Sequence, residues 1–128
     1  MGQQEEDLLF ALVVKKVSSV PKVRCRVAVI REELGGLSQA QAGENRFRAL
    51  RQEALTAELE QCLARIQLVE KAISLLPDEE RDAVDAVFLG GMSQSSFGKV
   101  HGLSRASVGR RLRDAVERLA CAICPGGI

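Results

Sequence analysis

The chain is 128 residues long, enough for one domain or two small modules with a real core. Four Phe with no Trp and no Tyr leave an aliphatic composition; this predicts a helical protein and argues against base-stacking platforms of the single-strand-binding kind. The net charge of +1 names no partner, but it is unevenly spread: eleven Lys/Arg against ten Asp/Glu up to Leu76, five acids against one base over Asp78–Asp85, then six bases against two acids over Gly91–Ala120.

The opening, "MGQQEEDLLFALVVKKV", is acidic before its apolar run, the reverse of a secretory signal. That run is too short to span a bilayer, and Glu6 stands where a myristoylation motif wants Ser or Thr. These features predict a soluble, cytoplasmic chain without a membrane partner. Leu8, Leu9, Leu12, Val13 and Val17 predict a helix over residues 5–18, which Pro21 ends or interrupts. "KVRCRVAVIREEL" predicts a second helix over 22–34, with a strand over 23–29 as an open alternative because Val23, Cys25, Val27 and Val29 alternate. Gly35 and Gly36 should stop it, and "LSQAQAGEN" reads as a loop or a weak helical continuation.

The longest periodic segment runs from Glu44 to Leu76. Phe47, Leu50, Ala54, Ala57, Cys62, Ile66, Val69, Ile73 and Leu76 recur mostly at threes and fours. A helix of that length needs a packing partner. The preceding helices could supply it as an antiparallel hairpin, or a second copy could as a coiled coil, so a homodimer through 44–76 is possible. Pro77 then marks a boundary, with Asp78, Glu79 and Glu80 in the first turn of a helix that runs to Leu89 and ends at a left-handed Gly90-Gly91 pair. The expected division is a helical hairpin or coiled-coil segment at 1–76 and a second module at 77–128.

The second module carries the informative stretch, "GKVHGLSRASVGRRL". Ser93 and Ser104 are the expected N-caps of two short helices. Phe97 and Val100 should line the inner side of the first. Gly102 supplies the positive φ that a tight turn between crossing helices needs, and Gly98 the small residue where they approach. Phe97, Leu103, Val108 and Leu112 should close a small core with Val84 and Phe88. The second helix would face outward at its start with Arg105, Ala106, Ser107, Arg110 and Arg111, the arrangement that lets Arg read guanine in a major groove. Lys99, Arg113 and Arg118 are candidates for neutralising phosphates of double-stranded DNA.

Of the four cysteines, Cys25 and Cys62 have no partner at ligand spacing; Cys121 and Cys124, the "CAIC" pair, close a helix and read as small apolar residues in its last turn, with a thiol or a metal site shared between chains as the alternative. One His, no phosphate-cradling glycine loop and no clustered acid–base pair give no catalytic, metal or cofactor site.

Residues 76–119 resemble region 4 of the bacterial sigma-70 factors. The resemblance rests on Leu76-Pro77 with its acidic sequel, Met92-Ser93, Gly102-Leu103-Ser104, and Val108 through Arg111-Leu112. It implies an all-α protein whose helix-turn-helix reads a promoter element through Arg105, Ser107, Arg110 and Arg111 and docks on RNA polymerase. Gly109 and His101 depart from the pattern, which usually has a polar residue and a core Leu there. The first half lacks the aromatics with which sigma factors capture flipped bases. Small phage-encoded transcriptional activators are similar in architecture, a helical half followed by a region 4-like reader. Two other readings stay open: an adaptor or anti-activator that binds polymerase or a sigma factor without touching DNA, and a small phage packaging subunit.

Overall fold

The computed structural model describes residues 2–39 and 46–124. Of the stretch 37–45, expected as a loop or a weak helical continuation, residues 37–39 continue a helix, while the rest of it and the predicted helix start at Glu44 lie outside the described residues. The protein is all-α, with no strand among the described residues. Helix α1 spans Gln3–Ser18, α2 Val20–Gln39, α3 Arg46–Ser74 and α4 Asp78–Val84; a π-helical turn, Asp85–Leu89, continues α4, and α5 (Gln94–His101) and α6 (Arg105–Ile123) follow. No helix among the described residues is long and apolar enough to cross a membrane.

The described chain divides into two compact units. One is Pro21–Gln67; the other joins the residues up to Val20 to those from Leu68 onward. This differs from a cut at 76/77, because α1 packs on α6 rather than remaining with its sequence neighbours. The physical reason is the pair Val13 and Val17, one helical turn apart and fully buried.

The Pro21–Gln67 unit is an antiparallel hairpin. Arg26 forks onto Glu58, Nε to Oε2 at 2.6 Å and Nη2 to Oε1 at 2.8 Å. Seven residues further along α2, Glu33 meets Arg51, seven residues back along α3, at 3.0 Å. Two turns forward on one helix match two turns back on the other, which fixes the direction. Between these pairs lie buried Val27 and Ile30 on α2 and Leu55 on α3, and beyond Glu58 α3 adds buried Cys62 and Ile66. With half-buried Val23, Leu34, Leu37 and Leu59 they recur in steps of four and three, a coiled-coil seam.

The seam accounts for the helical reading of 23–29 over its strand alternative, and for one departure from expectation in α2. Residues 23–29 are helical, since Val23 and Val27 belong to the seam while Cys25 and Val29 are exposed. Gly35 and Gly36 do not stop the helix: each costs about 1 kcal/mol against Ala, and carrying the seam on to Leu37 offsets that. Helix α3 also splits the stripe read from sequence. Cys62, Ile66, Val69 and Ile73 are buried, whereas Phe47, Leu50, Ala54 and Ala57 face outward, and buried Leu55 was not in that stripe. Apolar residues occupy two opposite faces of this helix, so a single stripe drawn through them switches faces midway.

The other unit centres on Ala83, Phe97, Val108 and Leu112, with Ala86, Val87, Phe88 and Leu103 packed against them. Ala83 fills the place expected for Val84, which is buried outside this cluster. The inner face of α6 continues through Ala115, Val116, Leu119, Ala120 and Ile123, each buried. Pro77 precedes α4, and its C=O accepts from Arg81 N–H at 2.9 Å. Only Gly91 of the glycine pair is left-handed, with φ of 73°; Gly90 has φ of −88° and its N–H closes the π-helical turn onto Asp85.

Candidate nucleic-acid interface

Two short-range serine pairs set the ends of α5 and α6. Ser93 Oγ accepts from Ser96 N–H at 3.1 Å and donates to Ser96 Oγ at 2.9 Å. Ser104 does the same with Ser107, at 3.1 and 2.9 Å. Each cap is worth about 1 kcal/mol. The capping serines were legible in the sequence; their partners, which an S-x-x-S repeat signals, were missed.

Between the two helices the chain turns at Gly102, φ 67°, in the left-handed region. Leu103 N–H donates back to Gly98 C=O at 2.8 Å. A Cβ on Gly98 would lie 2.8 Å from the Leu103 carbonyl oxygen and 3.4 Å from Val108 Cγ2, so the close approach leaves no room for a side chain. Phe97 is fully buried, and the His101 ring lies 4.2 Å from it, centroid to centroid. Val100, expected inward, is 71% exposed. The buried side of this short helix is Phe97 and Gly98; His101 is exposed with its ring against Phe97, and Val100 lies off the buried side.

The basic residues do not form one continuous face. Lys99, Arg105 and Arg110 are exposed around the turn and the start of α6, beside exposed Ala106 and half-buried Ser107. A cleft of about 370 Å³ opens there, lined by Gln94, Ser95, Gly98, Lys99, Gly102, Leu103 and Arg105. Three other arginines turn toward the protein. Arg111 is half-buried, with Nη2 3.7 Å from Glu79. Arg118 lies two turns further along, its Nε 3.1 Å from Glu80 Oε1. The better-aligned hydrogen bond runs to Oε2 at 3.3 Å, leaving Oε1 buried without one. Arg113 stands over the Phe10 ring of α1, 5.6 Å from its centroid, a cation–π contact.

Glu79 and Glu80 therefore do more than meet the helix dipole at the start of α4. They hold one flank of α6, and α1 holds the other. The seven-residue spacing of Arg111 and Arg118 was the available signal; Phe10 gave none. Further along, Asp82 and Asp85 are exposed. Partial burial, then the charge of Asp82, holds the Asp85 carboxyl above its ordinary range. Among the described residues no group of three or more His, Cys, Asp or Glu could hold a metal ion.

Two helices meeting across a left-handed glycine, capped alike, with cations at the start of the second, define a helix-turn-helix domain, a DNA-binding regulatory fold. Residues 72–120 match the family model described as sigma-70, region 4, and this segment is a region 4 helix-turn-helix domain. Neither the curated proteins nor the solved structures give a match.

Proposed function

We propose that the chain is a sequence-specific transcription regulator of the phage type. It acts in the cytoplasm, binds double-stranded DNA through α6 and contacts RNA polymerase. The observation that carries the reading is the cluster of exposed Lys99, Arg105 and Arg110 around the Gly102 turn. In this reading Arg105 and Arg110 reach base edges with Ala106 and Ser107 between them, and Lys99 neutralises a phosphate. Arg111, at 3.7 Å from an exposed glutamate, can exchange that partner for a phosphate. Arg113 and Arg118 act mainly by seating α6, through Phe10 and Glu80. Asp82 and Asp85 present an acidic surface to the polymerase. The hairpin unit pairs two copies of the chain.

The test is binding to duplexes selected from a random pool, measured at several salt concentrations. Log affinity should fall linearly with log salt. Arg110→Ala should cost about 1–3 kcal/mol and relax the preference at one base pair. Lys99→Ala should weaken all duplexes alike and flatten the salt slope by about one unit. Absence of salt-sensitive binding to every duplex would refute DNA reading. Recovery of polymerase by an Arg110→Ala variant with undiminished activity would favour the adaptor reading instead.

A further inference from the structure

Gly109 lies in the second turn of α6, one turn after Arg105 and beside Arg110, and nothing inside the protein accounts for it. Its φ is not in the left-handed region, and a Cβ built there would meet no atom within 4 Å. Gly98, eleven residues earlier, is the contrast: there a Cβ would run into the backbone. Glycine inside a helix weakens it, so at position 109 alanine would be the better residue for folding alone. The neighbouring side chains sharpen the question. Ala106, three residues before Gly109 and on the same side of α6, ends in a methyl group. Arg105 and Arg110 flank the pair and are exposed. Half-buried Gly109 thus leaves open space above the helix backbone beside the Ala106 methyl, on a stretch of α6 with exposed arginines at 105 and 110.

We infer that this open space beside Ala106 receives the C5-methyl group of a thymine in the DNA that α6 reads, with Gly109 admitting the base edge against the helix backbone. The inference rests on the proposed DNA-binding function and names a specificity element within it. In a major groove the thymine methyl is the one apolar protrusion among the base edges, and alanine is a residue that contacts it. A Cβ at 109 would fill the space the methyl needs. Gly109 is thus a positioning and specificity residue, and the folded chain tolerates its helix cost for the sake of the ligand.

The experiment compares the full chain with Gly109→Ala in two readouts. Thermal unfolding of the free proteins should show Gly109→Ala melting higher than the parent. Binding to the duplex selected by the parent, at one salt concentration, should show the variant about five- to tenfold weaker. Replacing each thymine of that duplex by deoxyuridine, one at a time, should weaken the parent several-fold at one position and leave the variant unaffected there. Unchanged affinity of Gly109→Ala, or no thymine position sensitive to loss of its methyl, overturns the inference. So does a lower melting temperature, which would give Gly109 an internal structural role. If the parent binds no duplex at all, the proposed function falls, and that outcome is distinct from the others.

Discussion

A single oxygen atom decides what position 98 can be. The Leu103 carbonyl, 2.8 Å from where a Cβ would stand, is backbone held by its own hydrogen-bonded turn and cannot swing aside as a flexible side chain would. Gly98→Ala should therefore destabilise the fold by about 1–3 kcal/mol, the usual cost of overpacking, despite alanine's better helix propensity. Chemical denaturation of the two proteins checks it, and a variant as stable as the parent would mean the turn yields. This position and Gly102 were legible from sequence because each has one physical reason to be glycine. Val100 was not: in an eight-residue helix one periodic match cannot separate the inner arc from its edge.

Among the elements, the hairpin shows how an exposed ion pair depends on acidity. The hydrogen bond from Arg26, and then the charge of Arg26, hold Glu58 below the ordinary carboxylate value of 4.5; the same hydrogen bond, and then the charge of Glu58, raise Arg26. A depressed carboxylate contributes stability above that value and loses it as the pH falls through the folded-state value. Arg26 stays charged throughout, so the acid arm is set by Glu58. Helicity should decline on acidification below about pH 4.5 more steeply in the parent than in Glu58→Gln, as circular dichroism would record; parallel curves would deny the pair any role. Both side chains are more than one-third exposed, so the effect should be small and weakened by salt. Helical character and rough boundaries were legible from periodicity. The face that α3 buries was not, since a helix apolar on two sides leaves the choice to its partner.

At the level of the whole molecule, the outward side of α3 offers a way to bring two readers together. Leu50, Ala54, Ala57 and Ala64 follow one another at a four, a three and a seven, all exposed and opposite the seam that α2 covers. A surface with that period suits another supercoiling helix. A second copy would also match the pairing of half-sites by dimeric readers of this class. Light scattering should give a molar mass near twice 13.9 kDa for the parent. Ala57→Glu, placed mid-surface on an exposed helix, should return the single value with helicity intact; a parent that is monomeric throughout the micromolar range would rule out the pairing.

The docking of α1 on α6 has a consequence for how the protein is made. Helix α1 leaves the ribosome roughly a hundred residues before the α6 surface it packs on, while the hairpin between them can close early from near neighbours. Joining the distant ends is the slow, entropically costly closure. Until it happens, the packing of α1 on α6 is unmade, and the arginine that Phe10 will steady has nothing to lean on.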